Sequence, residues 1–512
     1  MSEQNNEVYS AYTPLRNSLR QTNIESSLRA IHAYIQHMHF GNDLPNYIFN
    51  TPPGYRSLKG LKNYITSGLL PWELETLAKE AILHSENVVE KKTLENWNYL
   101  APTVNKLKGL EGTIAKIYSN SDNVLIEIYR IAHRQFAWQR APNLEDIARY
   151  WKIYSNEKLS KIIYNEFGLT VDDLYLLGFA FIGLYINKVA LFYPPIINLK
   201  HISQEDLEKF LRHFSIPIIE LKKMLKQEQE INEKYFYAYN SFKKFPLIQM
   251  SYENRDSIVC PIPTYLYRRL TEGLYYEVVN KDGFDEAYGE AFQSFVGEML
   301  RLGNSSAKIL PEAIYGKSKE RTTDWMLVDS SAILFIECKG KRITLGAKTS
   351  LLDNEELKKQ LDIMASFVVQ IYKTMLDYQK GLYPNLKYDE NKKVYPLVVT
   401  LEEWYLFGGK LFGYLNESVR TKLSNEKIDA DILNTNPYTI CSIDGLNSLV
   451  QVSQTIGINV ILHKKYIDPE TRDWAIETFI NNNYPEEVLK MKSLFKNEFD
   501  KRIEDWIKLK RQ

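Results

Sequence analysis

The chain reads as multidomain, with a mostly α-helical N-terminal half and an α/β C-terminal half in which a mixed sheet is flanked by helices. Three observations predict this. From about residue 20 to 250, apolar residues recur at three- and four-residue steps, as in Ile24, Leu28, Ile31, Ile35 and Met38. That is the spacing of helices that bury one face. Near Cys260-Pro261-Ile262-Pro263 the style changes. Beyond it, runs of β-formers at 323–342 and 394–401 alternate with helix-like stretches, the pattern of strands covered by helices.

The 512 residues suffice for roughly two to four domains, each with its own core. The 64 basic and 64 acidic residues cancel, so any nucleic-acid binding would need a local basic groove rather than a global charge. Cys260, Cys338 and Cys441 are widely spaced in apolar surroundings, which is neither a disulfide framework nor a metal-knuckle pattern. The segment Met1 to Glu7 lacks the basic and apolar regions of a signal peptide. A reducing, cytoplasmic setting is expected. The most apolar run, Leu174 to Ile186, is 13 residues long and ends at Asn187-Lys188. It is too short for a membrane span and is expected to be a buried helix.

Taken in order, residues 1–250 are expected to form one or more helical domains, 251–480 an α/β domain, and 481–512 a C-terminal amphipathic helix. Helix breaks are expected at Thr51-Pro52-Pro53-Gly54, around Arg140-Ala141-Pro142-Asn143 and at Tyr193-Pro194-Pro195. His37-Met38-His39 and His133-Arg134 sit in helical surroundings with no third ligand at hand, so a polar helix face is expected rather than a metal site. Arg130, His133, Arg134, Phe136, Trp138 and Arg140 interleave basic and aromatic side chains, a composition shared by base-stacking surfaces and by half-exposed helices.

The second half opens with an aromatic, helix-like stretch from Thr264 to Val279, broken at Lys281-Asp282-Gly283 before a new helix near Phe284. After the 323–342 segment, a long helix is expected from about Asn354 to Tyr378, with Leu357, Leu361, Met364, Val368, Ile371 and Met375 as the stripe facing a sheet. Val394 to Leu401 reads as the next strand, Gly445 to Ile456 as a helix and Val460 to Leu462 as a further strand. From Glu486 onward, Phe495, Phe499, Ile503 and Trp506 share one face, predicting an amphipathic helix docked on the body of the protein.

The stretch from Thr323 to Arg342 carries the chemistry. It divides into two short apolar strands joined at Ser330-Ser331. Alternate side chains of a strand share a face, so Ile333, Phe335, Glu337 and Lys339 point one way. If the strands pair as a hairpin, Asp324 comes alongside Glu337, completing a cluster of two carboxylates and one ammonium. Burying that cluster without compensation would cost several kcal/mol. A hard divalent cation compensates: Mg²⁺, with Mn²⁺ as the alternative, held by Asp324 and Glu337.

An Asp, a hairpin and then Glu-x-Lys, here with a spacing of 337 − 324 = 13, resembles the signature of the PD-(D/E)XK nuclease superfamily, the restriction-endonuclease-like phosphodiesterases. Three other Glu-x-Lys triplets, at Glu90-Lys91-Lys92, Glu220-Leu221-Lys222 and Glu356-Leu357-Lys358, lie in polar helix-like settings and carry no such context. The resemblance implies a restriction-endonuclease-like fold for 251–480 and Mg²⁺-dependent hydrolysis of nucleic acid, DNA favoured over RNA. Asp324, Glu337 and the Cys338 carbonyl would bind metal, and Lys339 would be the catalytic cation. The family's first core helix typically reads Gly-x-x-Phe-Glu, and Gly289-Glu290-Ala291-Phe292-Gln293 resembles it with Gln293 in place of the Glu. Gln293, with Glu290 one turn earlier, is a supporting candidate, as is Gln360, near the start of the following helix. Lys341, Arg342 and Lys348 form the basic loop where phosphates would approach. A long helical region fused to such a nuclease resembles prokaryotic defence or restriction effectors, in which the appended part recognises a trigger or a protein partner. The competing expectations are a nuclease-fold binding or scaffold protein without turnover, favoured by Gln293, and a nuclease directed at RNA.

Overall fold

The computed structural model describes residues 3–60, 63, 68–86, 92–118, 124–197, 199, 201–344, 347–348, 355–406 and 408–511. Its contacts divide the chain into two compact units. The first comprises 1–124, 131–282 and 498–512, the second 125–130 and 283–497. The change of style near Cys260 therefore precedes the division by some twenty residues, and the position expected for a boundary, residue 250, lies inside the strand Leu247–Tyr252 of the first unit.

Helices dominate the first unit, as the periodicity predicts. Ile24–His39 buries Leu28, Ile31, Ile35 and Met38 against Pro71–His84. The apolar run becomes the helix Val171–Tyr185, and among the described residues no single helix is long and apolar enough to cross a membrane. The unit also holds an unexpected four-stranded sheet of order β1-β4-β3-β2: β1 Ala190–Phe192, β2 Ser215–Pro217, β3 Leu247–Tyr252 and β4 Arg255–Val259. Two of these strands have three residues each, too few for a period-of-two pattern to register. The β3–β4 turn is Glu253-Asn254, both at positive φ (51° and 60°), which matches the twist of a tight hairpin.

Of the histidines expected on a polar face, His37 and His39 are in fact core residues, whereas His133 is half-buried. His37 and His39 are 1% and 6% exposed, and burial pushes the His39 imidazole down to about 3, so it packs as a neutral ring. Arg134 and Trp138 are buried too: Arg134 pairs with Glu111 at 2.5 Å, and Trp138 donates its indole N–H to Glu75 at 2.8 Å. Burial pushes the Glu75 carboxyl up, but the ammonium of Lys243 at 2.5 Å overrides it and holds the group at about 2. Of the interleaved residues, Arg134 and Trp138 are thus spent on internal pairing, whereas Arg140 is exposed.

The expected single C-terminal helix is broken. Pro485–Val488 forms one turn and Lys496–Arg511 a separate helix, which docks by Phe499 on Trp151 (5.6 Å between centroids) and by Phe499 and Trp506 on Phe179. Lys152 ties Glu498 at 2.7 Å.

The second unit is built on a five-stranded mixed sheet of order β11-β10-β9-β8-β5. Its elements follow in the order helix Phe284–Gly303, β5 Lys308–Pro311, β8 Trp325–Val328, β9 Ala332–Lys339, helix Glu355–Gln379, β10 Lys393–Thr400 and β11 Thr439–Ser442. Between β5 and β8 a two-residue pair, β6 Ile314–Tyr315 and β7 Glu320–Arg321, forms a small projection. β5, β8 and β9 are antiparallel neighbours, whereas β10 and β11 run parallel to β9. The predicted stripe from Leu357 to Met375 is buried on the sheet. The strand expected at Val460–Leu462 is instead part of the helix Ile458–Ile467. Three apolar residues do not separate the two periods, and here Asp329, at the β8–β9 turn, accepts the Ile458 N–H at 2.8 Å and starts a helix.

Two helices cover opposite faces of this sheet. Met326 and Phe335 belong to one core with Met364 and Val368 of Glu355–Gln379. Trp325, facing the other way, meets Phe284–Gly303: a Cβ on Gly297 would lie 2.0 Å from its Cζ2, so only glycine lets the ring lie flat there. A Gly297→Ala protein should lose about 2 kcal/mol or more in urea unfolding by overpacking; unchanged stability would contradict this close approach.

Candidate active site

The hairpin register sets the site. Trp325 pairs with Ile336, so one step further Asp324 stands opposite Glu337. The Asp324 carboxylate accepts the backbone N–H of Cys338 at 2.7 Å, and Lys339 Nζ donates to Glu337 Oε1 at 2.8 Å. The structure therefore brings together Asp324, Glu337 and Lys339. Glu337 is 3% exposed, and the Lys339 side chain 20%. The Lys339 ammonium also lies 4.6 Å from the centre of the Phe367 ring, which orients it while leaving one side open.

The electrostatics are those of a site short of positive charge. Burial, followed by the charge of Glu337, pushes the Asp324 carboxyl up to about 7. Burial likewise raises Glu337, against the pull of Lys339. One ammonium does not balance a buried and a half-buried carboxylate held side by side, so one of them holds a proton near neutral pH unless another cation arrives.

Two residues that sequence reasoning missed complete the surroundings. Gln370 donates its amide to Glu337 Oε1 at 2.8 Å. The glutamine reaching the cluster is thus Gln370, whereas Gln360 lies ten residues, roughly 15 Å, back along the helix. Gln360 is 5% exposed, with its carbonyl oxygen lacking a hydrogen-bond partner. Glu312 is the second. The β5–β8 register places it opposite Asp324, its N–H donates to the Asp324 carbonyl at 2.9 Å, and its charge raises both Asp324 and Glu337. Only the strand register identifies it.

The other expected residues lie apart. Gln293 sits on the helix covering the opposite face, where its backbone carbonyl accepts the Trp325 indole at 2.9 Å. Among the described residues, no hydrogen bond joins its side chain to the cluster. Glu290 is exposed on the same helix. Of the basic loop, Lys341 is exposed, but Arg342 is buried and lies 3.5 Å from Glu402, which Lys348 also meets at 2.9 Å. Glu220 and Glu356 stand on helices, as their polar settings predict, whereas Glu90 and Lys91 lie outside the described residues, as does Asn354.

Beside Gln370 opens a cavity of about 520 Å³, lined in part by Arg321, Lys373, Thr374, Asp377 and Lys422. Each of its cations has an acidic neighbour: Arg321 with Glu312 at 3.2 Å, Lys373 with Glu426 at 2.9 Å and Lys422 with Asp362 at 3.0 Å. Such partly exposed pairs contribute only about 0–1 kcal/mol and exchange readily for a phosphate.

Among the described residues no cluster of three or more His, Cys, Asp or Glu side chains is placed to hold a metal ion. The donor set on hand is the Asp324–Glu337 pair, which suits a hard cation that keeps several waters. No protein-family model matches the chain, and no curated protein is significantly similar to it.

Proposed function

We propose that the second unit is a metal-dependent nuclease of the PD-(D/E)XK kind, hydrolysing nucleic-acid phosphodiesters, with DNA the favoured substrate. The observation that carries the reading is the charge-deficient pair of half-buried Asp324 and buried Glu337, with Lys339 on the same face. The order helix, three antiparallel strands, helix, parallel strand around it supports the resemblance stated from the sequence. Asp324 and Glu337 would hold Mg²⁺ or Mn²⁺. When bound, the cation supplies charge neutralisation at the scissile phosphate and a more acidic water. Lys339, a compact charge steered by Glu337 and Phe367, donates to the phosphate oxygen on which charge develops. Gln370 fixes the Glu337 carboxylate.

With Arg342 and Lys348 engaged by Glu402, the strand is expected to run over the cavity beside Gln370, its phosphates taking Lys373 and Lys422 from their acidic neighbours. The Lys373→Glu/Lys422→Glu double variant should weaken DNA binding about tenfold or more and flatten its salt dependence. Affinity equal to wild type would place the strand elsewhere. A role in prokaryotic defence, with the helical region engaging a protein partner, is the matching biological reading.

The competing reading, a scaffold without turnover, draws on Gln293 in the position where the family carries Glu. Calorimetric titration with Mn²⁺ separates the two: saturable binding lost in Asp324→Asn supports the nuclease, and no binding to the wild type supports the scaffold.

A further inference from the structure

A second cavity of the same unit, about 480 Å³, opens at the other end of the sheet. The carboxylates and Lys339 lie where β9 ends, opposite Thr400 of β10, whereas this cavity begins at Lys393, opposite Ala332. Seven strand steps, about 23 Å, separate Lys339 from the level of Lys393. The cavity belongs to neither the cluster nor its neighbouring groove.

Its lining combines two chemistries. Lys393, Arg420, His463 and Arg472 stand around it, all exposed. Among the described residues none of these four lies within ion-pair distance of a carboxylate, although Asp473 is also in the lining. Lys393 and Arg472 donate only to the backbone carbonyls of Thr435 and Tyr466. That contrasts with the groove beside Gln370, where every cation has an acidic partner. The remaining walls are aromatic. Phe412 stacks on Tyr438 at 5.7 Å and 19°. Tyr466 is tied by its hydroxyl to the Tyr438 carbonyl at 2.9 Å, and Tyr438 by its own hydroxyl to Asn416 at 2.8 Å. The rings are therefore held in place before any ligand enters.

We infer that this cavity is a nucleotide-binding site: Lys393, Arg420 and Arg472 take the phosphate and the Phe412–Tyr438–Tyr466 wall takes the base. Uncompensated cations at one opening call for an anion. Rigid aromatic surface calls for a flat ring. The volume lies within the roughly 300–1,000 Å³ of small-molecule sites, more than a bare phosphate fills. Asp473 can accept from a sugar hydroxyl or a base amine at the rim. The inference does not depend on the hydrolytic reading of the opposite end.

Calorimetry on the full chain tests it, using the four common nucleoside monophosphates, adenosine, inorganic phosphate and a 5′-phosphorylated dinucleotide. At least one monophosphate is expected to saturate the protein. Adenosine and inorganic phosphate, each offering half of the recognition, should bind at least about tenfold more weakly. Arg420→Glu, an exposed change on a helix, and Lys393→Glu should each weaken the nucleotide at least about tenfold without altering the melting temperature of the free protein. A dinucleotide that binds more tightly than the mononucleotide assigns the site to a strand end, and the reverse order assigns it to a free nucleotide; either supports the class. Absence of saturable binding, equal affinity for phosphate and nucleotide, or binding indifferent to both substitutions would overturn the inference.

Discussion

A Lys339→Ala protein should fold, bind Mn²⁺ at alkaline pH and cleave nucleic acid about 10²- to 10³-fold more slowly than wild type. The Lys339 side chain is one-fifth exposed, so its loss opens no large core cavity. Glu337 keeps the Gln370 amide on its Oε1. What disappears is the ammonium that Glu337 holds on the carboxylate face. Because Lys339 also pulls the Glu337 carboxyl downward against burial, the variant holds its proton to higher pH. Metal affinity should accordingly be measured at alkaline pH as well as neutral, where the deficit shrinks if the site is otherwise intact. Lys339→Arg keeps the charge but replaces a compact, mobile donor with a planar fork, and should rescue little. Wild-type turnover by the alanine variant would remove Lys339 from the chemistry.

The second large effect is on stability. The Asp324 carboxyl is raised from its ordinary 3.8 to about 7 by burial and by Glu337. The folded chain therefore binds more protons than the unfolded chain between those two values. Stability falls wherever the folded state holds the extra proton and pH rises. With metal chelated, Asp324 contributes a fall in unfolding free energy on the order of 1 kcal/mol per pH unit through this window; the neutral His39 contributes the opposite slope below its ordinary value, so the Asp324 contribution is read as the difference between wild type and Asp324→Asn. Asp324→Asn, which still offers an oxygen to the Cys338 N–H, should flatten that slope. A divalent cation should reverse the trend, since it binds the deprotonated pair, adding about 2.7 kcal/mol at a hundredfold excess over its Kd. Urea titrations from pH 4 to 8 with chelator and with Mn²⁺ read both slopes. A wild type that gains stability relative to Asp324→Asn as pH rises across this range, with metal chelated, would contradict the assigned charge imbalance.

The hairpin was the most legible part of the chain because two independent periodicities agreed there. Alternation put Glu337 with Lys339, and the turn at Asp329 to Ser331 fixed which residue stands opposite. The long helix after it was legible for the same reason, its stripe spanning five turns. Relations that depend on register between distant segments were not. Glu312 joins the site only because β5 pairs with β8, and no local pattern marks it. Gln370 and Gln360 are both glutamines on one helix, and deciding which meets Glu337 requires the angle at which the helix crosses the sheet. Burial of Arg342 was equally hidden, because its partner Glu402 lies sixty residues on. In the first unit, residues that look solvent-facing in sequence are drawn into the interior, His37 and His39 as core rings and Arg134 through its pair with half-exposed Glu111.

Incubation of the purified chain with supercoiled DNA, linear DNA and RNA in parallel, with Mg²⁺ or with chelator, tests the central claim most directly. Cleavage of DNA is expected with Mg²⁺ alone, and none with chelator or with Asp324→Asn, Glu337→Gln or Lys339→Ala. Cleavage of RNA only would keep the site and change the substrate. Cleavage that survives chelation or these substitutions would contradict a metal-dependent site at Asp324, Glu337 and Lys339.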